Sequence, residues 1–334
     1  MKTNLWENKI SELIYEWSNG NEKVLNITSV PFNSSIYLLK TIISYVYKQK
    51  KVLYITEENE KEIDLIDNIK QSTKFRGYTY VRSKSTNSDS PLVICNYENA
   101  KVSMRKYDLV IYNEVRSLPV YTKKQIINVT KEKCKEQGKI IFYSIEMIEN
   151  NVREILLPVD RSRLPQSEPR VVITRLDINK EIPYVIYEYL SWSINSMRKV
   201  VIFVPGMEQV VNVYGHISQC SGNLTKNIYS HHKGDNDKAI MSFKHVKDGI
   251  LITDDFSSIF NNMRNLDKMM FFANDEVYDY KKLVYLCGPN LQGKKDYRGE
   301  IIFLSNTETD DMENAKKIIR DFNKEAWERN LLDI

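Results

Sequence analysis

The sequence predicts an α/β protein of two tandem domains, each built on a mostly parallel sheet with helices on both faces. Short β-branched apolar runs alternate with amphipathic helical stretches through residue 150. A stretch with three prolines and no helical period, 153–169, then breaks the alternation, which restarts at 170 and continues to the last helix. The expected layout is a first domain over 1–152, a linker over 153–169 and a second domain over 170–334.

The chain opens on a helix, because Leu5, Trp6, Ile10, Leu13, Ile14 and Trp17 share one face of a 3.6-residue period and Asn19-Gly20 stops it. VLNITS (24–29) reads as a buried strand, 34–50 as a helix, KVLYIT (51–56) as a strand and 59–70 as a charged helix. YTYVR (78–82), PLVICN (91–96), DLVIYN (108–113) and KIIFYS (139–144) are further strands. A polar loop falls at 83–90 and a helix at 121–137. In the second half the strands are 170–176, 199–205, 226–230, 249–253, 268–273 and 300–304. The helices lie near 181–196, 207–217, 236–246, 279–287 and 310–330.

With 334 residues, 42% hydrophobic and 28% charged, the composition is globular and excludes disordered, fibrous and disulfide-scaffold classes. The net charge of +4 permits a nucleic-acid partner but argues for one only if it is concentrated somewhere. Cys95, Cys134, Cys220 and Cys287 form no CxxC pair, so neither a zinc ribbon nor a redox pair is expected. The spacing suggests a reducing cytoplasm. No run of 18 apolar residues occurs and the first 20 residues are charged and helical, so neither a membrane span nor an export segment is expected.

In a parallel α/β sheet the chemistry gathers beyond the carboxyl ends of the strands. The loop after VLNITS, Ser29-Val30-Pro31-Phe32-Asn33-Ser34-Ser35, has the strand-loop-helix layout of a phosphate-binding loop, whose pattern is G-x-x-x-x-G-K-[ST]. Val30 and Phe32 stand where small residues are needed, and Asn33 stands where the lysine belongs. Only Ser34 keeps its type, and a structural turn capped by Ser34 or Ser35 fits the residues better. DLVIYN runs into Glu114-Val115-Arg116-Ser117-Leu118-Pro119. An NTPase would carry a magnesium-binding aspartate where this chain has the neutral Asn113, leaving Glu114 alone.

The string DLVIYNEVRSLP resembles the DLLIIDEVDAFP motif of the late-competence DNA-uptake translocases, the ComFA-type members of helicase superfamily two. LPVDRSRLPQSEPR resembles that family's LPARYHRRPLPEPR segment, and RKVVIFVPGMEQVVNVY its RQVLIFVPTIELAE. GILITDD resembles the strand into TTTILERG, DYKKLVYLCG takes the place of ALVQIAGRVGR, and YRGEIIFL with KEAWERNLL is similar to the closing segment. The likeness is collinear over roughly residues 20–332 and implies two RecA-like domains of the P-loop NTPase type.

The departures matter as much. Besides Asn33 and Asn113, the Ser/Thr-Ala-Thr coupling motif is Ser144-Ile145-Glu146, and E-R-G is Ser258-Ile259-Phe260. G-R-x-G-R is Gly288-Pro289-Asn290-Leu291-Gln292, so both arginine fingers, worth about 10³ to 10⁵ in rate, are replaced. No confident catalytic residue is left; Asn33, Ser34, Asn113 and Glu114 are vestigial positions. No cofactor is expected, ATP and magnesium entering only if the family activity persists. None of the four cysteines is placed for the family's zinc module, and no metal is expected.

The resemblance also implies a single strand of DNA held through its phosphates across the tops of both domains. By family position the contacts would be Thr56, Asn96, Tyr97, Ser230, Lys233 and Thr253. Bland roles stand beside these: Thr56 as a cap for the helix from Asn59, Tyr97 as core. Glu57 and Glu58, where the family has Pro-Arg, would repel phosphate. Lys101, Arg105, Lys106, Lys123 and Lys124 read either as a basic patch or as a solvated face. His231-His232-Lys233-Gly234-Asp235 reads as a turn, and Lys294, Lys295 and Arg298 as a loop with compensating charge.

The expectation is a cytoplasmic helicase-fold pseudoenzyme of competence type, binding single-stranded DNA or another competence protein without motor activity. Any membrane association would be peripheral, at the inner face. Two alternatives remain open. One is an interaction scaffold anchored by Trp6 and Trp17, or by Trp327 on the last helix; the other is an active translocase with rewired motifs.

Overall fold

Every strand pairing in the computed structural model is parallel, in two sheets carried by two compact units. The structure describes residues 2–82, 89–219, 224–257, 260, 263, 265–288 and 299–333.

The first unit holds Met1–Leu164 together with Glu325–Ile334. Its elements are α1 (Lys2–Asn19), β1 (Val24–Ser29), α2 (Ile36–Tyr47), β2 (Val52–Thr56), a short 3₁₀ turn (Glu60–Glu62), α3 (Asp64–Ser72) and β3 (Tyr78–Val81). β4 (Leu92–Cys95), α4 (Tyr97–Val102), β5 (Tyr107–Asn113), α5 (Lys123–Lys133), β6 (Cys134–Ser144) and β7 (Arg153–Leu157) follow. The seven strands lie in the order β3-β4-β2-β5-β6-β1-β7. Ile10, Ile14 and Trp17 of α1 pack with α2, α3 and one face of the sheet, while α4 and α5 cover the other through Tyr97, Ile126 and Val129. Burying both faces is why the strands are unbroken β-branched runs.

The second unit, Pro165–Lys324, contains β8 (Arg170–Ile173), α6 (Tyr184–Asn195), β9 (Lys199–Phe203), α7 (Met207–Gln219) and β10 (Ile228–His231). α8 (Lys238–His245), β11 (Gly249–Thr253), β12 (Leu266–Phe271), α9 (Tyr280–Leu286), β13 (Ile301–Ser305) and α10 (Asp310–Glu328) as far as Lys324 complete it, with the sheet in the order β10-β11-β9-β12-β13-β8.

Three local departures from the sequence reading have physical causes. Residues 153–157, expected in a linker, form β7 and extend the sheet beside β1, from Leu25↔Arg153 to Ser29↔Leu157. Pro158, Pro165 and Pro169 all follow this strand, so the break they signal begins only there. The helix expected to reach 137 ends at Lys133, because Cys134 turns to extended φ/ψ and pairs with Tyr107. An irregularity between Tyr107 and Leu109 lets the strand resume at Lys139. Gly138 permits the close approach, since a Cβ there would lie 2.6 Å from the Cys134 Sγ and 3.0 Å from the Tyr107 carbonyl. Finally, residues 325–334 belong to the first unit, where Ala326 and Leu331 pack on Val159, with Trp6 and Leu332 against them.

Trp17, an exposed anchor in the scaffold reading, is buried at 1% exposure, and Trp6 is half-buried; Trp327 is exposed. The Lys139 ammonium sits 4.8 Å from the centre of the Trp17 ring and donates to the carbonyls of Trp17, Gly20 and Glu22, closing the end of α1. Trp17→Ala is expected to cost about 3 to 5 kcal/mol, read as a lower urea midpoint with an unchanged slope. A change within about 0.5 kcal/mol would show that α1 does not contribute to the core.

Candidate functional site

The carboxyl ends of β1, β2, β5 and β6 lie side by side in register, with Thr28 opposite Ser144, Thr56 opposite Asn113 and Asn113 opposite Tyr143. The loop after β1 therefore meets the turns after β2 and β5 at one edge, as a parallel sheet requires.

That loop is closed by the chain's own groups. Asn33 is buried, its amide donating to the Ser29 hydroxyl (2.9 Å) and the Val159 carbonyl (3.0 Å) and its oxygen accepting from the Ser34 N–H (2.8 Å). Phe32 adopts a left-handed conformation (φ 59°), at a cost of about 1 to 2 kcal/mol for a residue with a Cβ. Its N–H donates to Val115 O at 2.7 Å and its carbonyl accepts from Arg116 Nη1 at 2.8 Å, which holds it there.

At the start of α2 the position that would cradle a phosphate is taken by a carboxylate. Asp64, the first residue of α3, accepts through Oδ2 from the Ser35 N–H (2.6 Å), the Ser35 hydroxyl (2.7 Å), the Ser34 hydroxyl (3.1 Å) and the Asn68 amide (2.8 Å). A helix N-terminus favours an anion through its free N–H groups and its dipole, and here the anion is built in. Ser34 and Ser35 do sit at the helix start, as the sequence suggested: Ser35, at the cap position, makes no side-chain bond to the helix backbone, while the Ser34 hydroxyl accepts from the Ile36 N–H at 3.2 Å. With Asp64 in place these donors are engaged within the chain and are not open to a phosphate oxygen.

A second carboxylate ties this cradle to β5. Glu58, only 8% exposed, accepts from Asp64 N–H (3.0 Å), the Thr56 hydroxyl (3.1 Å), Asn113 Nδ2 (3.3 Å) and Arg116 Nε (3.2 Å). Asn113 also donates to the Tyr54 hydroxyl at 2.5 Å and accepts from Val115 N–H at 3.1 Å. The end of β5 therefore carries a neutral amide already engaged on both ends. Arg116 Nη1 lies 3.7 Å from Asp64 Oδ1, so one guanidinium balances both acids. Glu114 is buried with the Tyr112 hydroxyl beside it; burial, and then this carboxylate, push the Tyr112 ionisation far up. Among the described residues no group of three His, Cys, Asp or Glu side chains is arranged to hold a metal.

The nucleic-acid candidates are unequally placed. Thr56 is buried on Glu58, not on the turn at Asn59, and Tyr97 is buried against Tyr121 with ring centres 3.7 Å apart. Asn96 is half-buried and caps α4, accepting from Asn99 N–H at 2.9 Å. Thr253 is buried, its hydroxyl accepting from Asp255 N–H at 3.0 Å. Ser230 and Lys233 are exposed, and the Lys233 N–H donates to Asp254 at 2.7 Å. His232 Nδ1 lies 2.6 Å from the same carboxylate and His231 Nε2 lies 3.7 Å from Asp255, so the turn after β10 is anchored by two acids on β11's end. Lys123 pairs with Glu146 (2.9 Å) and Arg105 with Asp89 (2.9 Å), while Lys101, Lys106 and Lys124 are exposed. Phe260 is buried edge-on to Phe203. Ser258, Ile259, Pro289, Asn290, Leu291, Gln292, Lys294, Lys295 and Arg298 lie outside the described residues.

Sequence reading missed Asp64 altogether. Its serine partners are 29 and 30 residues away in the chain, and an aspartate opening a helix is ordinary, so only its place at the start of α3 could have marked it.

No protein-family model matches the chain. It is 21% identical over 254 residues to the competence protein ComFA of Bacillus subtilis (strain 168), covering 71% of this chain. The match spans 53% of that protein, about half its length. The S. cerevisiae Dbp5 structure bound to RNA and ADP BeF3 superposes with a TM-score of 0.57 at 13% identity, covering 97% of this chain and 91% of that one. RecG bound to a three-way DNA junction gives 0.56 at 12% identity, covering 96% and 46%. The fold is the two-domain RecA-like helicase fold, and the chain is ComFA-like.

Burial pushes the Glu58 carboxyl above its ordinary value of 4.5, against the opposing Asp64 N–H and Arg116. A raised folded-state value means that the folded protein binds this proton more tightly than the unfolded chain does. That stabilisation is full below 4.5 and is lost as pH rises through the folded value. Denaturation free energies are thus expected to fall more steeply between pH 4.5 and the folded value in the wild type than in Glu58→Gln, with no difference in slope above it; curves parallel throughout would refute the assignment.

Proposed function

We propose that this ComFA-like, helicase-fold protein is a cytoplasmic pseudoenzyme that holds single-stranded DNA in a competence-type process without an ATP-driven motor. The observation that carries the reading is the Asp64 carboxylate on the Ser34 and Ser35 donors. It fills the loop from within, while Asn33 and Asn113 replace the charged groups on either side. Without a loop lysine, a magnesium carboxylate or arginine fingers, no named group remains to stabilise charge on a transferring phosphoryl.

The nucleic-acid half draws support from the relatives, since Dbp5 is bound to RNA and RecG to a DNA junction. The competence half rests on the likeness to ComFA. Ser230, Lys233 and Asn96 are the contacts with solvent-facing surface. Thr56, Tyr97 and Thr253 shape the turns behind them.

Purified protein is expected to release no phosphate from ATP above background, with or without single-stranded DNA. Turnover that Glu114→Gln abolishes would sink the proposal. Asp64→Ala vacates the cradle, so inorganic pyrophosphate should raise the melting temperature of this variant and leave the wild type unmoved. A pyrophosphate shift in the wild type would show that Asp64 does not keep anions out.

A further inference from the structure

The net charge of +4 has a location. At the edge of the first sheet opposite the phosphate-type loop, where the strands begin, Lys23 precedes β1, Lys50 and Lys51 precede β2, Arg105 and Lys106 precede β5, and Lys135 and Lys139 lie at the irregular start of β6. Lys48 closes α2 beside them. The acids there are mostly engaged: Asp89 pairs with both Lys51 (3.2 Å) and Arg105 (2.9 Å), Asp108 with Lys135 (2.9 Å), and Glu22 with Arg153 (3.4 Å). Lys23, Lys48, Lys50 and Lys106 are all exposed, and none of the four meets a carboxylate within ion-pair distance among the described residues. Exposed Glu136, and exposed Glu16 in the last turn of α1, are nearby acids with no ion pair among the described residues.

A helix C-terminus accounts for Lys48, but Lys23 and Lys106 stand at strand starts, where no helix dipole rewards a cation. Both lie close enough to Cys134 to act on its thiol electrostatically, and Lys50 acts likewise on Asp108 and Lys139. These like charges therefore share one neighbourhood, which raises the energy of the bare surface and favours a polyanion on it.

We propose that this edge is a docking surface for the phosphodiester backbone of a nucleic-acid duplex, separate from the single-strand contacts proposed at the carboxyl ends. The cations follow strands β2, β5, β6 and β1, a row of three inter-strand steps or about 14 Å. That is close to the width of about 12 Å of the B-DNA major groove, whose two rims are phosphate ladders. Several ammonium groups are held in place: Lys23 donates to Glu136 O (3.1 Å), Lys48 to Asn19 (3.2 Å), and Lys50 lies 5.1 Å from the centre of the Tyr45 ring. Tyr15 and Tyr45 carry lysines on their faces, and exposed Tyr47, beside Lys48, is one ring and not the row of platforms that successive unpaired bases stack on. Backbone charge with no row of stacking rings favours a duplex, bound without sequence preference.

The test is fluorescence anisotropy with a labelled duplex and a labelled single strand over a salt series, on wild type, Lys50→Gln/Lys106→Gln and Lys233→Gln. The edge variant is expected to lose about tenfold in duplex affinity at low salt and about 2 in the slope of log K against log salt, with single-strand binding retained. Lys233→Gln is expected to do the reverse, so the two surfaces fail independently. Unchanged duplex affinity and slope in the edge variant, at a wild-type urea midpoint, would overturn the inference. If that midpoint falls, Lys23→Gln is the second variant and must lower the slope by about 1. Binding to phosphatidylserine vesicles without binding to duplex would also overturn it, assigning the edge to an anionic membrane.

Discussion

The Asp64 carboxylate at the start of α2 is the contact on which the first unit's carboxyl edge depends. A helix N-terminus buried under a loop leaves N–H groups that must find acceptors, and an unmet one costs about 1 to 3 kcal/mol. In a nucleotide-binding protein those acceptors are phosphate oxygens. Here Asp64 of α3 accepts from the Ser35 N–H and the Ser34 hydroxyl from the Ile36 N–H, and the consequences spread outward. Asp64 needs a counter-charge, which Arg116 supplies; Arg116 also faces Glu58; Glu58 gathers Thr56 and Asn113. Tyr143 adds its hydroxyl to the Ser34 carbonyl at 3.0 Å, so β6 joins the same network. Satisfied at every joint, the network behaves as one buried polar body.

This gives physical content to the difference between a helicase fold and helicase chemistry. A parallel sheet brings the same four strand ends together whatever they carry, because the strands' register and the crossover helices decide that. Phosphoryl transfer needs charge at particular points on that frame. In this chain the points hold Asn33 and Asn113, both committed to protein partners. The positive charge lies at the other end of the strands, where lysines outnumber the acids available to pair with them. The two edges of one sheet are electrostatically unlike, and their unlikeness is what a formal charge of +4 conceals.

Much of the fold was legible in the chain. The strands of both sheets stand out because burial on two faces demands continuous β-branched runs, and all but one were placed within a few residues. The exception, β7, is an edge strand whose exposed residues Arg153 and Glu154 do not look like a buried run. The end of α5 was misjudged because Cys134 pairs with a strand far along the chain, and local propensity carries no trace of that partner. Trp17 looked like a free aromatic until α2 and the sheet closed over it.

The candidate site divides along the same line. Which residue types occupy the loop and the strand ends is written in the sequence, and the asparagines at positions 33 and 113 could be read there directly. What replaces them is a property of three dimensions. Asp64 and Ser35 are 29 residues apart and share no motif; they meet because α3 starts where α2 starts, on one face of one sheet edge. Local sequence sets which elements form, through periodicity and side-chain shape. Only tertiary packing decides which buried charge meets which buried donor, because that pairing depends on strand order and register, which no short stretch of chain contains.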